Sequence, residues 1–156
     1  MDVKKILWPT DLSGRARHAL AYVRSLTEKY GAEIHVLYVI TDVAHHRGLY
    51  GNFEQEHIDR IYAWEKQKAG ERLEQICSQE LEGCPLYIKH VAVGDPAQEI
   101  IKTTLEEEID MVVLASRGAG GYFQIGAVAE KIIKYSPVPV VMVPTRGEPK
   151  EMTMAS

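Results

Sequence analysis

Three stretches of the sequence combine residue types that could hold a small polar ligand. Pro9-Thr10-Asp11 closes a short apolar run and Val39-Ile40-Thr41 closes another. The loop Ala115-Ser116-Arg117-Gly118-Ala119-Gly120-Gly121 leads toward Gly126-Ala127-Val128-Ala129-Glu130-Lys131. A glycine-rich loop entering a helix offers unpaired backbone N–H groups and the positive end of the helix dipole, which suits an anion such as phosphate. Glycine there serves equally as a turn device, because it takes φ > 0 without steric cost. Asp11 also has two readings: it could orient a hydroxyl or amine of a ligand, or cap the next helix.

Other clusters point to plainer roles. His45, His46 and His57 could ligate a metal with a nearby carboxylate. Adjacent histidines point in different directions in most backbones, however, and no histidine pair stands at i, i+4. No metal site is expected. Cys77 and Cys84 form no Cys-x-x-Cys, and Cys77 falls on the apolar stripe of its segment, where a thiol acts as a small buried hydrophobe. Glu106-Glu107-Glu108 beside Asp110 reads as a solvated helix end, and His35 and His90, within expected strands, read as structural or exposed. The sequence contains no Gly-x-Ser-x-Gly elbow, Walker Gly-x4-Gly-Lys-Ser/Thr or His-Glu-x2-His, so no efficient catalysis is expected.

The elements that must position these corners alternate along the chain. Val3 to Pro9 is an apolar run stopped by proline, with Ser13 or Asp11 able to cap a helix immediately after it. From Arg15, the residues Ala16, Ala19, Leu20, Val23, Leu26 and Tyr30 share one 3.6-period face, and Gly31 sits where a left-handed terminator belongs. Ala32 to Ile40 is apolar almost throughout, the pattern of a strand covered on both faces. Thr41 to Phe53 shows no period and reads as a loop. Helical spacing resumes at Ile58, Ile61, Tyr62, Ala69, Leu73, Ile76 and Cys77 and runs to about Glu82.

Leu86 to Val93 alternates as a strand. Gly94-Asp95-Pro96 supplies a turn glycine, a cap and a first-turn proline for a helix carrying Ala97, Ile100, Ile101, Thr104 and Leu105 on one face. Asp110 to Ala115 is a strand, Ser116 to Ile125 the glycine-rich loop, Gly126 to Ser136 a helix and Val138 to Val143 a last strand. Five strands alternating with four helices predict a doubly wound α/β fold, a five-stranded parallel sheet with helices on both faces. Ligands of such sheets sit beyond the carboxyl ends of the strands.

The 156 residues suffice for one buried core, expected over 1–144 with a polar tail at 145–156. Charged residues make up 26% and the net charge is -4, which speaks against nucleic-acid binding. Two cysteines suit a reducing compartment, and the sequence holds neither a signal-peptide run nor 18 uninterrupted apolar residues. A cytoplasmic protein without membrane segments is expected.

Taken together, several blocks resemble the universal stress protein family. They are Lys5 to Ser13 (KILWPTDLS), Val93 to Ile101 (VGDPAQEII), Asp110 to Gly118 (DMVVLASRG), Gly126 to Lys131 (GAVAEK) and Pro137 to Val143 (PVPVVMV). The resemblance spans residues 3 to 144. It implies the adenine nucleotide alpha-hydrolase-like fold with strand order 3-2-1-4-5, a homodimer through Val138 to Val143, and a regulatory role in stress response. In one branch of the family it also implies binding of ATP or another adenine nucleotide. By position, base and ribose would meet Pro9, Thr10, Asp11 and Val39. The phosphates would meet Gly118, Gly126, Ala127 and Val128, with Ala115 and Arg117 beside them.

The sequence departs from that branch's Gly-x2-Gly-x9-Gly-Ser/Thr pattern. Ala115 stands for the first glycine, seven residues separate Gly118 from Gly126, and Ala127 replaces the hydroxyl residue. Losing a hydroxyl that bonds a charged phosphate removes about 1.5–3 kcal/mol, and the shorter spacing can redirect the loop. A nucleotide-independent interaction module of the same fold is the alternative.

Overall fold

Strand β2 (Glu33–Thr41) is buried from Ile34 to Leu37 and at Ile40 and occupies the interior of the sheet. Apolar side chains on both faces leave it no stable position at a wet surface. The computed structural model describes residues 2–12, 14–41, 55–81, 87–116 and 125–144, without the side chains of 14–16 and 125. Ser13, residues 42–54, residues 82–86 with Cys84, residues 117–124 with Arg117 and Gly118, and residues 145–156 lie outside the described residues.

The remaining elements are β1 (Lys5–Pro9), α1 (Gly14–Tyr30), α2 (Gln55–Glu80), β3 (Tyr87–Gly94), α3 (Pro96–Glu106), β4 (Met111–Ala115), α4 (Ile125–Tyr135) and β5 (Val140–Val143). All pairings are parallel and the order is β3-β2-β1-β4-β5. The chain runs outward from β1 to β3, then crosses back to β4 and β5. Strand order therefore reverses between β1 and β4.

Each sheet face carries its own core. Trp8, Ile34, Val36 and Val113 pack with Leu20 and Val23 of α1 and Leu73 and Cys77 of α2. On the other face Leu7, Leu37, Val112 and Leu114 pack with Ala97 and Ile100 of α3 and Ala129 and Ile132 of α4. Burial pushes the Cys77 thiol up to about 11, as befits a small core hydrophobe.

Several boundaries and faces differ from expectation. At about 39 Å, the 26-residue α2 is longer than the strands it covers, so its buried residues begin only at Ala69 and Ile61 is exposed. Tyr30 and Leu105 are also exposed, and Thr27 and Thr103 take the inward places near the ends of α1 and α3. The last strand starts at Val140 rather than Val138. Pro139 has no N–H to give a ladder, and the Val138 N–H is held by Ser136 Oγ at 3.2 Å.

Candidate functional site

The turn after β1 is tightly built. The Thr10 N–H donates to the Leu37 carbonyl at 2.8 Å, tying the corner to β2. Thr10 is buried, and Leu12 adopts φ 64. A bulky residue in the left-handed region stores strain of about 1–3 kcal/mol, which persists only where surroundings enforce it. Here Leu12 is locked into the core on the α1 side. The result holds Asp11 at the carboxyl edge of the sheet, at the point where strand order reverses.

A cleft of about 450 Å³ opens there. Pro9, Thr10 and Asp11 form one wall, Val39 and Leu37 the floor, Asp95 to Ala97 a second wall, and Ala127, Val128 and Lys131 of α4 a third. Leu37, Ile100 and Leu114 give its interior an apolar character, while Asp11, Asp95 and Lys131 bring charge. Such a cavity, mostly apolar with a few converging polar groups, is the usual form of a small-molecule site. The first turn of α4 adds N–H groups without intrahelical acceptors and the positive dipole end. Tyr38 also borders the cleft, and burial raises its hydroxyl above the usual value; Glu65 adds to the rise, Arg72 opposes it and Asp11 adds a little more. Tyr38 stays protonated at neutral pH.

Seven of the ten residues singled out from sequence meet this region in some form. Pro9, Thr10, Asp11, Val39, Ala127 and Val128 line the cleft. Gly126 lies in the first turn of α4, where an added Cβ would meet only the Ser116 carbonyl oxygen, at 3.9 Å. Ala115 does not line the cleft. It is buried in the core shared with α1, and its neighbour Leu114 takes the cleft-facing place. Because side chains alternate along a strand, the methyl of Ala115 fills core. Its φ is not positive, so the backbone makes no demand for glycine. Arg117 and Gly118 lie outside the described residues.

Sequence reading missed Asp95 and Lys131 as cleft residues. Asp95 was legible only as the α3 cap, which it is: its Oδ2 accepts the Gln98 N–H at 3.1 Å. Lys131 stands one helical turn beyond Ala127, so i, i+4 spacing on α4 was the available signal.

A model of the Universal stress protein family matches residues 2–144. The chain is 31% identical over 157 residues to universal stress protein MJ0577 of Methanocaldococcus jannaschii, covering 90% of this chain and 94% of that protein. The solved structure of the hypothetical protein MJ0577 resembles it with a TM-score of 0.78 at 28% identity, covering 94% of this chain and 99% of that one. A universal stress protein of Archaeoglobus fulgidus solved in complex with dAMP shares the fold, with a TM-score of 0.63 at 20% identity, covering 91% of this chain and 98% of that one.

Proposed function

This chain belongs to the universal stress protein family, and we propose that it is a regulatory protein of stress response that holds an adenine nucleotide in the cleft without turning it over. The observation that carries this reading is the junction of an apolar slot with a helix N-terminus at the reversal of strand order. The base lies on Val39 and Leu37, Asp11 receives a ribose hydroxyl, and the phosphates run toward the α4 N-terminus and Lys131. The dAMP complex of the Archaeoglobus fulgidus relative lends support at the level of the fold.

Transition-state charge on a transferring phosphoryl group requires positioned cations and a group that orients water. Lys131 is one exposed cation, Asp95 is spent on the α3 cap, and Asp11 is taken up by the ribose in this reading. Bound ATP therefore persists. Nucleotide released by heating the purified protein, together with calorimetry, tests the reading. Turnover above about 1 s⁻¹ that vanishes in Asp11→Ala overturns its non-catalytic half, and absence of any nucleotide binding favours the interaction module, to which the missing hydroxyl at Ala127 already lends weight.

We place the protein in the cytoplasm as a dimer through β5. The Val112 and Ser116 N–H groups donate to the Pro139 and Val143 carbonyls, so by strand alternation Val140 and Met142 turn their N–H and C=O groups outward. An open edge of this kind is satisfied by pairing with its symmetry mate. Met142→Pro keeps the ladder to β4 and removes an outward donor. Sedimentation should give a dimer for the parent chain and a monomer for the variant.

A further inference from the structure

On the amino-terminal side of the cleft floor, side chains from β2, β3 and the end of α3 come together on the face covered by α3. His35 of β2 is 1% exposed. Its Nε2 lies 2.6 Å from Glu33 Oε1 and its Nδ1 lies 2.9 Å from His90 Nε2 on β3. Glu107, which caps α3, brings a carboxylate oxygen so that the three ligand atoms of His35, His90 and Glu107 all lie within 4.8 Å of one another. Among the described residues no other group of three such side chains converges in this way.

The hydrogen bonding of this group is that of a ligand set. The two rings are 10° from parallel with centroids 5.1 Å apart. The centroid separation exceeds the N···N distance by about two ring radii, so the rings meet edge to edge and their nitrogens face each other. Glu33, which accepts the Nε2–H of His35, fixes the tautomer that leaves the Nδ1 lone pair directed at His90. A carboxylate holding the far N–H of an imidazole is the usual support of a metal-bound histidine. Two facing imidazole nitrogens need something between them, and a proton or a metal ion can fill that place.

We propose that His35, His90 and Glu107, with Glu33 orienting His35, form a binding site for a divalent transition-metal ion of the zinc class. Zinc binds imidazole nitrogen at about 2.0–2.1 Å, which sets tetrahedral neighbours roughly 3.3 Å apart. The nitrogens therefore separate by a few tenths of an ångström and the rings tilt until their lone pairs converge. His90 and Glu107 are only half-buried, so this adjustment falls on side chains that can move, while the buried His35 stays anchored by Glu33. Two imidazoles and one carboxylate favour zinc, nickel or cobalt over magnesium or calcium, which prefer all-oxygen sites. The solvent side leaves a fourth position for water.

His35 stands two residues before Leu37 of the cleft floor, about 7 Å along the strand, and none of His35, His90, Glu107 and Glu33 lines the cleft, so the metal site has its own ligands and does not require a bound nucleotide. The test is Zn²⁺ titrated into the metal-free full chain by calorimetry, with Co²⁺ absorption reporting coordination. One ion per chain should bind at this site. His90→Ala and Glu107→Gln should each weaken binding at least tenfold, and Glu33→Gln ten- to a hundredfold. The paired change His45→Ala with His46→Ala should leave it unaltered. Circular dichroism shows whether each variant is folded. Imidazole ¹⁵N spectra of the unmodified protein provide a readout that needs no variant: Zn²⁺ should shift the His35 Nδ1 and His90 Nε2 resonances. Unmoved resonances, or Zn²⁺ affinity unchanged in folded His90→Ala, overturn the proposal.

Discussion

The Thr10 hydroxyl oxygen accepts the backbone N–H of Leu12 at 3.0 Å and so closes the turn in which Leu12 takes φ 64. The bond is buried. Thr10→Val keeps the volume but leaves that N–H unpaired, a loss of about 1–3 kcal/mol. Urea unfolding should register the loss, whereas Thr10→Ser, which keeps the acceptor, should stay within about 1 kcal/mol of the parent. Equal stability of Thr10→Val and the parent would show that the hydroxyl does not hold the turn.

Gly94 closes β3 at φ 155, and a Cβ built there would stand 2.9 Å from Glu99 Oε1 and 3.1 Å from its Cγ. Two costs are therefore separable. Gly94→Ala should destabilise by about 1–3 kcal/mol, and the same change beside Glu99→Ala should cost less yet still be unfavourable, because the backbone strain remains. A double-mutant cycle measured by denaturant melts would contradict this if the two changes proved strictly additive.

Gly126 allows a clean separation of fold from ligand. With the Ser116 oxygen at 3.9 Å as its nearest neighbour, an alanine methyl meets no obstacle in the protein, and removing a glycine from a helix gains up to about 1 kcal/mol. Gly126→Ala should thus melt no lower than the parent while binding nucleotide more weakly, since the methyl stands where the phosphate must approach. AMP, ADP and ATP should bind the parent within about tenfold of one another, a spread of 1.4 kcal/mol, because the adenosine end of the cleft is the better furnished. ATP bound a hundredfold tighter than AMP in calorimetry would show an intact phosphate loop instead.

His90 titrates below the usual imidazole value of 6.5, chiefly because burial disfavours its charged form; His35 opposes protonation and Glu107 favours it. Glu33 also belongs to this group through His35. A base with a lowered pKa binds fewer protons folded than unfolded, so stability is full above the unfolded value and declines as pH falls below about 6.5. Metal-free protein should melt lower at pH 5 than at pH 7.5. His90→Gln should flatten that part of the profile, and an unchanged slope in the variant would assign it to other groups.

The alternation of strand and helix was written in the apolar periodicity. Ala19, Leu20 and Val23 mark α1, the largely apolar run through Ile40 marks an interior strand, and Gly94-Asp95-Pro96 marks the start of α3 within a residue. The corner residues Pro9 to Asp11 were legible too, because a proline-stopped strand followed by capping side chains is a local pattern. Where local pattern failed, the cause was long range: α2 outreaches the sheet and leaves Ile61 exposed, and Pro139 delays the last strand.

By itself the sequence determined which segments are strands and helices and which corners reach the carboxyl edge, since both depend on neighbours within a few positions. Tertiary structure decided what those segments bring together. Strand alternation turned Ala115 into the core and Leu114 toward the cleft, helix placement brought Lys131 and Asp95 to the same cavity, and the β2–β3 register set His90 opposite Leu37, within reach of His35. Histidines 55 residues apart and a glutamate on a third element share no local period, so only the non-local hydrogen-bond ladder and the packing of α3 on the sheet could make them neighbours.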